Sequence, residues 1–182
     1  MKLHEILLII ILVLVVSFVF EHHEVTKQKM VNAHMCDHVD SLYKILDELP
    51  LGSPLDTVVI DDEFGIRRHP ILKIWRRHWG IDLKGTYRDT IYATGPGKIE
   101  TAKWIIGYGR HVVIKHKTGY KSLYAHMNKL FVDEGQVVKR GDTIGTVGSS
   151  GLASGPHLHY EISRFGIKEN PKFYLGTIIP VK

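Results

Sequence analysis

From Thr57 onward the chain alternates apolar and polar residues in short runs, with turn residues every eight to twelve positions, and no helical period is sustained after residue 60. Val112-Val113-Ile114, Val137-Val138 and Ile144 to Val147 are such runs, punctuated by Gly119, Gly135, Gly141 and Gly148. Side chains alternate across a strand, so each run has one face to bury, and glycine at regular intervals supplies the tight turns. Short strands joined this way pair with their sequence neighbours, so residues 51–182 are expected to form a mainly β domain built from antiparallel strands.

The first fifty residues follow different rules. Ile6 to Phe20 is an unbroken apolar run apart from Ser17. As a helix those residues cover about 22 Å, against a hydrocarbon core of about 30 Å, so Leu3 and flanking residues must help to span it. A cleaved signal peptide would want a basic start and small residues at a cleavage site. Here Lys2 is the only early base, and Ser17-Phe18-Val19-Phe20-Glu21 holds no A-x-A pattern. Residues 1–20 are therefore read as an uncleaved transmembrane anchor. Residues 21–50 are read as a helical stalk or a helix packed on the domain, with Val31, Met35, Leu42, Ile45, Leu46 and Leu49 forming one apolar stripe that stops at Pro50, Gly52 and Pro54. Lys2 inside and the β domain outside is the expected single-pass orientation.

The formal charge of +5 suits an anionic partner. No basic run interleaved with aromatics and no nucleic-acid motif is present, so nucleic acid is excluded as a partner. The single cysteine, Cys36, rules out an intramolecular disulfide and disfavours a structural zinc site, which usually draws on cysteine. Twelve histidines are the unusual feature, because imidazole is both the commonest metal ligand and the commonest acid–base side chain.

Two histidine clusters lie some eighty residues apart. In His78-Trp79-Gly80-Ile81-Asp82 the outer pair lie four apart, which on one extended strand places them on one face. In Gly155-Pro156-His157-Leu158-His159-Tyr160-Glu161 the two histidines and the glutamate share one face, leaving Leu158, Tyr160 and Ile162 to anchor the strand in the core. Together the clusters offer enough nitrogen and oxygen donors for zinc with one coordination position open, which is the pattern of a catalytic rather than a structural site. His126, in Tyr124-Ala125-His126, is a third candidate, with surface and core roles equally open. His34 and His38 share a face of the stalk helix and are read as solvated.

These blocks resemble the lysostaphin-type (LytM-like) zinc endopeptidases that cut bacterial peptidoglycan. Phe64-Gly65-Ile66-Arg67-Arg68-His69-Pro70, the HWGID block, the YAH block and SGPHLHYEI occur in that family's order, joined by glycine-spaced strands from Val132 to Ser149. The resemblance implies an antiparallel domain of the duplicated hybrid motif type. It implies one catalytic Zn2+ on His78, Asp82 and His159, with His126 and His157 as catalytic non-ligands. Zinc lowers the pKa of a bound water to about 7, one imidazole can take that water's proton and another can stabilise the oxyanion. The implied substrate is a stem or cross-bridge peptide of the cell wall, cut outside the inner membrane. Arg88-Asp89-Thr90 and Arg110 depart from the family pattern and bear on loop shape and substrate choice. Arg67 is read as structural or substrate-contacting, His116 as structural, and Glu161 as either a partner of a histidine or a solvated strand residue. Two further readings compete: a non-catalytic member of the fold that binds wall or activates another hydrolase, and a lipoyl-carrier-like module suggested by the turns from Gly135 to Gly148. The first is expected to have lost ligands that are intact here. The second lacks a lysine-tipped hairpin.

Overall fold

The computed structural model describes residues 3–68 and 74–175. His69 and Pro70 of the expected G-x-R-x-HP block, like Met1 and Lys2, lie outside the described residues. Two compact units are present, Met1–Lys44 and Ile45–Lys182.

The first unit is helical. One helix, α1 (Leu3–Asp47), covers both the expected anchor and the expected stalk without a break at residue 20. Neither glycine nor proline occurs between its ends, and Pro50 just beyond bars its continuation. Among the described residues no helix is long and apolar enough to cross a membrane. In the second unit Arg140 closes the helix end, its Nη2 donating to the carbonyls of Leu46, Asp47 and Leu49 at 3.1, 2.9 and 3.1 Å. A cation at the last carbonyls satisfies acceptors that have no partner within the helix.

Beyond the end of α1, the described part of the second unit is β with one terminal 3-10 turn at Pro171–Tyr174. Its strands in chain order are β1 (Ile60–Asp62), β2 (Gly65–Arg68), β3 (Trp75–His78), β4 (Ile81–Lys84), β5 (Thr90–Tyr92) and β6 (Gly97–Ile105). They continue as β7 (Gly109–Lys115), β8 (Tyr120–Leu130), β9 (Val137–Val138), β10 (Thr143–Val147), β11 (His157–Arg164) and β12 (Ile167–Glu169). The main sheet runs β1-β4-β11-β8-β7-β6-β9, with β10 pairing β5 and β8, and β12 pairing β11; β2 and β3 form a separate two-stranded sheet. Every pairing among the described residues is antiparallel, as expected for short strands that bury one face and follow one another through tight turns.

The core sits on one face of the central strands. Leu158, Tyr160 and Ile162 of β11 are fully buried there beside Ile81, Leu83, Ile114, Tyr124 and Met127. Tyr124 and Tyr160 each bring a hydroxyl into this apolar layer, and Thr94 satisfies both, its Oγ1 lying 2.8 and 2.9 Å from the two phenols. Buried hydroxyls without such partners would be costly, so this triad fixes β8 and β11 against the chain before β6. The opposite face of β11 is thereby free to carry polar side chains.

Candidate metal centre

His78 and Asp82 do not share a strand face, which corrects the expectation from their spacing. His78 ends β3, where it pairs with Gly65, while Asp82 lies in β4 of the main sheet opposite His159. The chain passes between the two sheets at Trp79-Gly80, and that turn folds the histidine back over the aspartate. Gly80 is what allows the turn to sit so close. A Cβ there would lie 2.4 Å from the Tyr160 carbonyl oxygen and 2.9 Å from His159 Cε1, well inside any real contact.

The three donors form a tight triangle. His78 Nε2 is 3.0 Å from His159 Nδ1, His159 Nδ1 is 2.8 Å from Asp82 Oδ1, and His78 Nε2 is 3.3 Å from Asp82 Oδ1. Four ligands at zinc's bond lengths of about 2.0–2.1 Å stand roughly 3.3 Å apart, so the triangle fits the ion. The tautomers agree. His78 Nδ1 lies 2.9 Å from the Glu63 carbonyl, which only accepts, so it carries the proton and Nε2 presents a lone pair. His159 Nε2 donates to Glu161 Oε1 at 2.9 Å, which leaves Nδ1 to face the cluster. Two imidazole nitrogens and a carboxylate oxygen therefore converge on a point that demands positive charge, either a proton or a metal ion. Burial alone lowers the His159 pKa, yet hydrogen bonds to Asp82 and Glu161 outweigh it and raise the group above its ordinary value. Burial likewise raises Asp82, but its close contacts with the His159 and His78 imidazoles win and hold it far below the usual carboxylate range. Among the described residues His78, Asp82 and His159 are the one group of three with metal-ligand spacing.

His126 reaches this cluster through a local departure from strand geometry. Tyr124 and Met127 both enter the core, and Ala125 pairs with His159. Regular alternation would send His126 into the core as well. Its φ of 60° turns the side chain to the other side, so that its ring centroid lies 4.7 Å from that of His157 and 5.8 Å from that of His159. A left-handed histidine costs roughly 1–3 kcal/mol. It is held by its own backbone N–H on the Tyr108 carbonyl at 2.9 Å. Its Nδ1 donates to the Ser150 carbonyl at 2.8 Å, and His157 Nδ1 donates to that of Gly155 at 2.9 Å. Both imidazoles thus turn Nε2 toward the cleft. Burial pushes the His126 pKa down to about 4, so this ring is neutral and able to accept a proton at pH 7.

A surrounding layer holds the cluster. Arg67 Nη2 donates to Asp82 Oδ2 at 3.0 Å, while Nη1 lies 2.9 Å from Asp62, so this arginine orients the aspartate rather than standing free. Glu161 is buried, not solvated. It accepts from His159, from Tyr108 Oη at 2.6 Å and from Lys168. Burial raises the Glu161 pKa, but these donors, His159 foremost, bring it to about 2. Burial and the adjacent Glu161 charge raise Tyr108, keeping it a neutral donor. The cleft above the cluster holds about 240 Å³, with Arg76, Arg77 and Trp79 along one wall and Ile106 and Leu152 among its other lining residues. Gly80 and Tyr108 were missed from the sequence. The glycines on either side of Tyr108 advertise a turn but not which way its ring points. His116 lies away from the cleft, tied to the Pro96 carbonyl and Ser122 Oγ at 2.7 and 2.9 Å. His34 and His38 are exposed on α1, as expected for solvated residues.

Residues 76–171 match the profile of Peptidase family M23. The chain is 42% identical over 118 residues to the DD-carboxypeptidase/endopeptidase Mpg of Neisseria meningitidis, covering 65% of this chain and 27% of that protein. It is 38% identical over 123 residues to the peptidoglycan DD-endopeptidase ShyC of Vibrio cholerae, covering 67% and 28%. It therefore spans little more than a quarter of the length of these relatives. A zinc-containing peptidase from Vibrio cholerae superposes with a TM-score of 0.58 at 30% identity, covering 68% of this chain and 38% of that one. The catalytic domain of lysostaphin from Staphylococcus simulans superposes with a TM-score of 0.60 at 26% identity, covering 64% and 91%.

Proposed function

The chain belongs to peptidase family M23, and from that premise we propose that it is a zinc metalloendopeptidase hydrolysing peptide bonds in bacterial peptidoglycan. The observation that carries the reading is the convergence of His78, Asp82 and His159 donor atoms within 3.3 Å of one another, beside two imidazoles that turn Nε2 into the same cleft. Both curated relatives are named for DD activity, which favours bonds between D-residues of the stem peptide over glycine bridges.

His78, Asp82 and His159 are the residues that would hold one zinc ion. Bound there, zinc would supply Lewis acidity, polarising the scissile carbonyl and acidifying water. His126, neutral and anchored through Nδ1, takes the proton of the attacking water on Nε2. His157, on the same side of the cleft, stabilises the oxyanion of the tetrahedral intermediate in its imidazolium form, with Nδ1–H on the Gly155 carbonyl and Nε2–H toward the cleft. The proton held on His126 then passes to the leaving amine. Glu161 and Arg67 fix the orientation of His159 and Asp82, as partners behind metal ligands commonly do.

The test is release of cut muropeptides by the purified chain, with zinc content measured in parallel. Chelation should abolish release, and zinc should restore it. His126→Ala should retain zinc while losing about 10²–10⁴-fold in kcat. Full activity in metal-free protein would overturn the metallopeptidase reading, and full activity in His126→Ala would overturn the proton-transfer role.

The same proposal includes a single-pass anchor in the cytoplasmic membrane with the β unit on the outer side. It is supported by the apolar run from Ile6 to Phe20, whose side chains from Ile10 to Phe20, Ser17 apart, include no polar group and are at least 50% exposed. Protease added to intact spheroplasts should remove the β unit; protection of it would refute the orientation.

A further inference from the structure

Every residue of α1 from His22 to Asp47 is exposed. A helix alone in water gains nothing from its apolar side chains, and most helical stability comes from packing one face. Five of seven residues at coiled-coil spacing are apolar here, the other two being Gln28 and Asn32. Val25, Asn32, Val39 and Leu46 recur at intervals of seven, with Gln28, Met35 and Leu42 three positions after the first three of them. This is the a and d pattern of a coiled coil, sustained over three heptads. Val25, Met35, Val39 and Leu42 are 50%, 62%, 43% and 59% exposed, and no described residue of the first unit covers them. Lys27, His34, Asp37, Asp40, Ser41 and Lys44 occupy the far side.

We propose that α1 pairs with α1 of a second copy of this chain as a parallel, in-register two-stranded coiled coil over residues 25–46. The residue types choose this occupant. In the heptad of Val39 and Leu42, valine at a with leucine at d favours two strands over three or four. Asn32 at an a position can meet its own counterpart only when the strands are parallel and in register. Gln28 Nε2 already donates to Asn32 Oδ1 at 3.0 Å within the helix, so the polar layer is preassembled. Glu24 at g and Lys29 at e of the partner complete the match, because g and the following e′ face each other across a parallel seam with opposite charge. Val31 and Ile45, both at g, widen the apolar strip on one side. The stalk would then carry two peptidase units on one support.

The experiment uses the full chain in mild detergent with Cys36→Ser, which removes the single native thiol. Val25→Cys and Val39→Cys, at a positions, should each give a disulfide-linked dimer on mild oxidation, whereas Asp37→Cys on the far side should give no disulfide-linked dimer. Sedimentation of the Cys36→Ser chain should give twice the monomer mass. Val39→Glu combined with Leu42→Glu should return the monomer while the near-UV circular dichroism of the β unit is unchanged. Equal cross-linking at 37 and 39 would overturn the proposal. A monomeric Cys36→Ser chain, as expected if the stalk folds back on its own β unit, would overturn it too.

Discussion

Gly80 joins His78 to Asp82 and has no space for a side chain. Its Cβ would press on the Tyr160 carbonyl, which is backbone held in a central ladder and cannot retreat without moving His159. Gly80→Ala is therefore expected to cost about 1–3 kcal/mol of stability. It should also weaken zinc binding by roughly 10–100-fold, the range seen when the support of a metal ligand is disturbed. A zinc titration of the folded variant checks this, and unaltered affinity would contradict the geometry. Glu161 carries a related lesson. Three donors converge on one buried carboxylate, so its role is set by what surrounds it and not by its position in the motif.

At the scale of single elements, strands β7 and β8 hold a titrating strut as well as the His126 turn. His116 follows β7 and bridges the Pro96 carbonyl to Ser122 of β8. Burial, its largest influence, lowers its pKa below the ordinary histidine value. The unfolded chain, with a histidine pKa of about 6.5, therefore binds a proton more readily than the folded one. Stability from this source is complete above about pH 6.5 and declines as the pH falls toward the folded value. His111, lowered by burial in the same way, adds to the trend. His116→Gln should be less stable at pH 7, by about 1 kcal/mol for the lost hydrogen bond. It should also lose less on going to pH 5 than the parent chain does. Denaturant midpoints at the two pH values test this, and equal losses would remove His116 from the account.

For the whole molecule, the core and the site occupy opposite faces of the same strands. The apolar layer is complete without any ion, since Leu158, Tyr160 and Ile162 pack on the side away from His157, His159 and Glu161. Metal-free protein is thus expected to stay folded, unlike small domains whose core is the metal site. Zinc at about 100 times its Kd should raise stability by about 2.7 kcal/mol, read as an upward shift of the thermal midpoint of the second unit. An unfolded apo state would show that the ion contributes to the core.

Local pattern alone determined that the second unit is antiparallel β, that Leu158, Tyr160 and Ile162 face the core, and that His157, His159 and Glu161 face away from it. A two-residue period decides sides, and sides need no knowledge of partners. The family's motifs further pointed to His78, Asp82, His126, His157 and His159, which the structure brings to one cleft. The tertiary structure decided the rest. His78 and Asp82 meet through a turn between two sheets, not along one strand, because Gly80 permits an approach that spacing cannot reveal. His126 faces the cleft because one left-handed residue reverses the alternation, and Tyr108 and Arg67 join the site from strands or turns far away in sequence. Such contacts depend on which backbones lie side by side, and that is fixed only when the whole sheet has formed.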